Sequence, residues 1–246
     1  MIIVTGASNN HYLTLINMIN SFSCHNTKNY LIVYNLGLDD DKWSNIQSLY
    51  STNQYISYKS FDFSKYPSWF NINIEAGQYA WKPTIIYNTY IEHNNEIIVW
   101  MDAGNLIHNN LQDLELFLEK NGVYSAESSG NIAKWTHPDT IKYLNCLNVN
   151  NQNRNGACIG FNTKKEFAKD FLIDFYNCAQ IKECIAPNGS SRKNHRQDQA
   201  VFTILFYKYL YEKNISFQSY KNSDWQHHLG YSIHNDIEPH WDTNKY

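Results

Sequence analysis

The sequence predicts an α/β fold with a mostly parallel central sheet and helices on both faces, and three observations carry this. Strand and helix patterns alternate through the first half of the chain, as a parallel sheet with crossover helices requires. The run Ile97 to Met101 is apolar without interruption, which marks a strand buried on both faces rather than one. Between the strands, apolar residues recur at the three- and four-residue spacing of helices packed by one face. A chain of 246 residues can bury roughly 70–75% of its unfolded surface. No linker interrupts it, so residues 1–246 read as one domain.

Met1 to Thr5 is a short apolar strand, followed by the small residues Gly6-Ala7-Ser8 and a helix with Tyr12, Leu15, Ile16, Ile19 and Phe22 on one face. Tyr30 to Leu36 is the second strand. Asp39, Asp40 and Asp41 open a helix whose body is Trp43 to Tyr50, since acids near a helix start favour its dipole. Tyr55 to Phe63 alternates as a third strand. Tyr66 to Glu75 is an aromatic-rich loop, and Ala76 to His93 a helix that Pro83 either interrupts or starts. The central strand then ends at Asp102. Leu111 to Lys120 is an amphipathic helix stopped by Asn121-Gly122, Val123 to Ala126 a strand, and a further helix starts near Asp139. Val149 to Asn155 reads as a polar loop. Ala157 to Phe161 is a strand flanked by Gly156 and Gly160, where another group approaches the backbone. Lys164 to Ile181 is a long helix, Pro187 to His195 a polar loop, and a helix opening at Asp198 runs to Lys213. One short strand is expected from Ile215 onward.

The net charge of −3, with Lys and Arg scattered, gives no basic field for nucleic acid. No apolar run approaches the roughly 20 residues needed to span a bilayer. The five cysteines contain no Cys-x-x-Cys pair, so free thiols in a reducing compartment are expected, and zinc is not. The first strand at Ile2 leaves no room for a targeting peptide. A soluble, cytoplasmic protein follows as the expectation.

Asp102 is the residue that points to chemistry. A carboxylate where a buried strand surfaces lies at the crevice in which open α/β sheets bind ligands, and can take a metal ion, a ribose hydroxyl or a phosphate-bound cation. The same residue could equally cap the turn that Gly104 permits. Other motifs fall around it in order: Gln78-Tyr79-Ala80-Trp81-Lys82-Pro83 before the strand, Asp102-Ala103-Gly104 at its end, Asn155-Gly156-Ala157-Cys158-Ile159-Gly160-Phe161-Asn162 later, then Arg196-Gln197-Asp198-Gln199, and His227-His228-Leu229-Gly230.

This layout resembles glycosyltransferases of the GT-A fold, and within them the family-8-like retaining enzymes, from the first strand to about Gly230. The resemblance implies a single GT-A domain that moves a sugar from a nucleoside diphosphate, UDP above others, to a glycan or other hydroxyl acceptor. It implies that Thr5, Ala7 and Ser8 border the nucleotide, that Lys82 stands beside the diphosphate, and that Asp102, with Ala103 and Gly104, matches the Asp-x-Asp segment holding Mn²⁺ or Mg²⁺. Asn155 and Gly156 match the segment lining the sugar pocket, Asp198 and Gln199 the pair that faces the sugar, and His227 the late metal ligand. Gly104 departs from the pattern, since it stands where the second acid belongs. Two rivals are retained. Val4-Thr5-Gly6-Ala7-Ser8 also resembles the opening of NAD(P)-dependent short-chain dehydrogenases, without their further glycines. A transferase without its second acid could also be a non-catalytic sugar-binding module.

Overall fold

The computed structural model describes residues 1–25, 28–216 and 226–233. Its strands are β1 (Ile2–Ala7), β2 (Tyr30–Asn35), β3 (Ile56–Ser60), β4 (Ile97–Met101), β5 (Asn105–Ile107), β6 (Val123–Asn131), β7 (Gln152–Asn162) and β8 (Tyr231–Ile233). Six form one sheet in the spatial order β3-β2-β1-β4-β7-β6, and β5 pairs with β8 alone. β1 to β4 run parallel, β7 runs against both its neighbours, and β6 therefore runs with the first four. The helices are α1 (Tyr12–His25), α2 (Asp40–Leu49), α3 (Trp81–Glu92), α4 (Gln112–Asn121), α5 (Ile132–Trp135), α6 (Pro138–Tyr143), α7 (Glu166–Ala179), α8 (Lys182–Ile185) and α9 (Gln197–Glu212).

The alternation of side chains along each strand sorts two cores. Ile98 and Trp100 of β4 join Ile2, Val4, Ile159 and Phe161 under α3, α7 and α9, where Phe171, Phe175, Phe202 and Phe206 fill the layer. Ile97, Val99 and Met101 turn to the other face, against Leu15, Ile19 and Phe22 of α1 and Leu114 and Leu118 of α4. Each such side chain is worth roughly 1.5–3 kcal/mol when removed from water, so β4 is held from both sides. Gly160 is needed there: a Cβ would lie 2.8 Å from Leu118. No helix among the described residues is long and apolar enough to cross a membrane.

The structure departs from the sequence expectations at particular places. The polar stretch read as a loop up to Asn155 enters β7 at Gln152, because its amides are satisfied by partners far along the chain: Asn153 Oδ1 accepts from Thr203 Oγ1 at 3.0 Å. Asn155 and Gly156 are therefore strand residues. The helix expected from Ala76 begins at Trp81 instead. Before it, Glu75, Ala76, Gly77, Gln78 and Tyr79 all adopt left-handed backbone, φ between 47° and 59°. That conformation costs roughly 1–2 kcal/mol for each non-glycine residue. It is held by Trp81 Nε1 donating to Ala76 O at 3.0 Å and by the Gln78 amide donating to the Glu75 carboxylate. Gly77 is obligatory, since a Cβ would lie 2.2 Å from the Phe70 carbonyl oxygen.

The expectation of free thiols throughout is corrected for two cysteines. Cys178, near the end of α7, and Cys184, in α8, form a disulfide across a Cα separation of 5.3 Å, while Cys24, Cys146 and Cys158 are free. The turn between the two helices brings the pair together, which no sequence spacing announces. β5 was not expected. In the stretch from Ile215 onward, where one short strand was expected, the described residues hold β8.

Candidate active site

The sheet order places a topological switch between β1 and β4: β2 continues from β1 on one side, and β4 lies on the other. At such a point the crossover helices diverge and leave a crevice beyond the strands' carboxyl ends. A cavity of about 530 Å³ opens there. Gly6, Ala7 and Ser8 from the end of β1 and Asp102 and Ala103 from the end of β4 form its floor, with Tyr79, Trp81, Lys82 and Arg192 on its wall.

Lys82 is the centre of the charged machinery. It is the second residue of α3, where Pro83 follows at a position whose N–H would have no helical partner. Its Nζ lies 2.9 Å from Asp102 Oδ1, 3.1 Å from Asp198 Oδ2 and 3.1 Å from the Gly156 carbonyl oxygen to which it donates. Lys82 and Asp198 are almost wholly buried. Burial opposes the charge on Lys82, but Asp102 and then Asp198 outweigh it and hold the ammonium above the usual lysine range. Burial pushes the Asp198 carboxyl up, and Lys82 opposes this.

Asp102 Oδ1 is doubly engaged, by Lys82 and by Trp100 Nε1 at 2.5 Å. The backbone of Asp102 is fixed as well: its N–H donates to Ala157 O at 2.8 Å, and its carbonyl accepts from Asn105 Nδ2 at 2.9 Å. The side chain is about one-third exposed. Asp102 thus presents carboxylate to the cavity from a rigid base.

The other sequence-predicted residues divide into those on the cavity and those behind it. Ala7, Ser8, Lys82, Asp102 and Ala103 line it; Asp198 touches it only through Lys82. Thr5 is fully buried with no partner for its Oγ1, and Gly104 is buried beyond the turn. Gly156 packs against α9, where a Cβ would lie 3.2 Å from that of Gln199 and 3.6 Å from Asp198 Oδ2. Asn155 folds on itself, its Oδ1 accepting from Ala157 N at 2.7 Å. Gln199 donates Nε2 to the Arg154 carbonyl oxygen at 2.6 Å. The side chain of His227 lies outside the described residues; its turn, Gln226–Leu229, leads into β8, which pairs with β5 directly after Asp102-Ala103-Gly104.

A divalent ion needs several oxygen or imidazole ligands converging on one point. Among the described residues no group of three His, Cys, Asp or Glu side chains could hold one. Asp102 is the one acid among the described residues that lines the cavity, and Asp198 is committed to Lys82. The described residues therefore do not fit Mn²⁺ or Mg²⁺.

Two contributors went unread in the sequence. Trp100 looks like core, yet a buried indole N–H needs an acceptor, and Asp102 two residues on shares its side of the strand. Arg192 lay in a loop of Ser, Asn, Arg and Lys residues that nothing local distinguishes. That loop is rooted by His195, which is fully buried: Nδ1 accepts from His137 N at 3.1 Å, and Nε2 therefore donates to Ile185 O at 2.7 Å. Burial lowers its pKa from 6.5 to about 4. A histidine depressed in the fold contributes stability that is complete above its unfolded pKa and is lost as pH falls toward the folded value. About 3 kcal/mol should disappear between about pH 6.5 and pH 4. Urea unfolding across that range should show a steeper loss for wild type than for His195→Gln, and parallel curves would contradict it.

A family model described as "Protein of unknown function (DUF1647)" matches residues 1–87. No curated protein matches. Among solved structures, an active-site mutant of LgtC superposes with a TM-score of 0.58 at 14% identity, over 100% of this chain and 92% of that one. The bifunctional glycosyltransferase WbbM matches with a TM-score of 0.56 at 15% identity, over 84% of this chain; the alignment spans only 37% of WbbM. Mouse xyloside xylosyltransferase 1 matches with a TM-score of 0.52 at 9% identity, over 95% and 97% of the two chains. At these identities the likeness is one of architecture, and the sheet order, the switch-point cavity and the carboxylate at the end of β4 agree with it: this chain has the GT-A glycosyltransferase fold.

Proposed function

We propose that this protein is a glycosyltransferase that moves a sugar from a nucleoside-diphosphate sugar, with UDP as the nucleotide, to the hydroxyl group of a glycan or similar acceptor. The observation that carries this is the Lys82 ammonium fixed between Asp102 and Asp198 at the switch-point cavity. Departure of the donor's diphosphate builds negative charge while the sugar becomes cationic. A preorganised cation beside that oxygen lowers the barrier without having to reorganise. In this reading residues 1–105 bring the nucleotide wall, through Ala7, Ser8 and Lys82. Residues 106–246 bring the support of the sugar side, with Asp198, Gln199, Asn155 and Gly156 packed behind the cavity wall. Asp198 steadies Lys82 from behind the cavity wall, and transfer proceeds with retention of configuration.

Enzymes of this fold commonly use a divalent metal. Here Asp102 and His227 would be its contributors, and the described side chains alone do not complete the set.

A panel of UDP-, GDP-, CMP- and dTDP-sugars, each tested by thermal shift and donor hydrolysis with Mn²⁺, Mg²⁺ or EDTA, tests the reading. Binding only to the native state raises the melting temperature by mass action, by about 2.7 kcal/mol of stability at a hundredfold excess over Kd. A shift with one nucleotide class and slow hydrolysis is the expected result. A shift without hydrolysis or transfer would leave a sugar-binding module, and a flat panel would remove the proposal.

A further inference from the structure

We infer that Arg192 is the residue that binds the donor diphosphate, supplying from the loop between α8 and α9 the positive charge that the missing second acid would have supplied through a metal ion. The inference rests on the reading of the cavity as a nucleoside-diphosphate site. Its starting point is the charge on the cavity wall. Lys82 is shared by Asp102 and Asp198, so it can steady one departing oxygen, but its charge is already balanced by carboxylates and leaves the rest of a diphosphate without a positive partner. Arg192 is the other full cation on the described wall of that cavity.

Among the described residues its contacts leave that charge uncompensated. The guanidinium donates Nη1 to the Tyr79 hydroxyl and stacks 5.4 Å from the centroid of the same ring. Tyr79 is neutral, whereas Lys82 is shared with two carboxylates. Arginine presents a planar fork that matches two phosphate oxygens at once. The Tyr79 ring orients that fork without neutralising it.

The supports on both sides are stiff. Tyr79 ends the left-handed turn Glu75–Tyr79, which leads directly into Trp81 and Lys82. Arg192 sits in the turn from Ser191 to Asn194, closed by Ser191 N donating to Asn194 Oδ1 at 2.8 Å and by His195 N donating to Ser191 O at 2.8 Å. His195 roots the turn at one end, and the Cys178–Cys184 disulfide fixes the helices before it. The exposed Arg192 side chain is thus the tip of an anchored loop, placed to exchange a tyrosine hydroxyl for a phosphate.

Calorimetric titration of the full chain with UDP, GDP, ADP and CDP and with the matching nucleosides, in EDTA and in Mn²⁺, tests this with wild type, Arg192→Ala and Arg192→Lys. Wild type should bind its preferred diphosphate in EDTA within about threefold of its affinity in Mn²⁺. Arg192→Ala should weaken that diphosphate by about 10- to 100-fold while leaving the nucleoside within about twofold, the size expected for a charge-assisted hydrogen-bond pair. Arg192→Lys, which keeps charge and loses the fork, should fall between. Equal diphosphate affinity in wild type and Arg192→Ala would overturn the role of Arg192, and if EDTA abolished binding as well, the metal would be reinstated with the transferase reading intact. Failure of wild type to bind any diphosphate would overturn the transferase reading itself.

Discussion

Lys82→Met should destabilise the fold by about 3–5 kcal/mol, the usual cost of stripping a buried ion pair of one partner, and lower turnover at least about 100-fold. Methionine fills much of the same volume, so packing is not the cause. The cause is Asp198, which is 5% exposed and has Lys82 as its ion-pair partner. Burial already raises its carboxyl pKa above 3.8 against the opposing pull of Lys82, and the substitution removes that pull. A carboxyl raised in the fold is tolerated below its unfolded pKa and becomes a penalty as pH rises through the folded value. The deficit of Lys82→Met relative to wild type should therefore narrow as pH falls from 7 toward 4. Urea unfolding of both proteins at several pH values measures it, and a deficit independent of pH would place the cost outside Asp198. Adding Asp198→Asn should restore part of the lost stability.

Asp102→Ala should do the reverse, lowering turnover by about 100- to 1,000-fold, as removal of one electrostatic group from a preorganised site does, with an unfolding midpoint within a few degrees of wild type. Without Asp102, Lys82 keeps Asp198 and the Gly156 carbonyl, so no buried charge is stranded. Trp100 Nε1 loses its acceptor, but Asp102 lines an open cavity, so water entering the vacated space can replace it. Asp102→Asn retains an acceptor for that indole and loses the charge, and it should be nearly as inactive as alanine. Donor hydrolysis and thermal unfolding of the three proteins check the pair of outcomes. Wild-type turnover in either variant would remove Asp102 from the chemistry.

Much of the fold was readable because the signals were local. Five apolar residues in a row put β4 in the middle of the sheet. Asp39 to Asp41 started α2, and Gly122 stopped α4. The left-handed turn before α3 was not readable, since Glu75, Ala76, Gln78 and Tyr79 have ordinary propensities and the turn is held by the Trp81 indole and the Gln78–Glu75 side-chain bond. Nor was β7 before Ala157, whose asparagines and glutamine find partners on β6 and α9.

For the site, the sequence by itself determined the residue types and their order: an acid at the end of a buried strand, a lysine at the start of the helix before it, and an Asp-Gln pair opening α9. Each of these follows from hydrophobic pattern and helix chemistry, which act over a few neighbouring residues. Only the tertiary structure decided that Lys82 Nζ lies within 3.1 Å of both Asp102 and Asp198, that Thr5 and Gly104 are buried away from the cavity, and that Arg192 reaches its wall through Tyr79. Those relations join residues up to 116 positions apart, as Lys82 and Asp198 are, and Coulomb attraction and burial depend on distance in space, which the strand order sets and the linear sequence does not display.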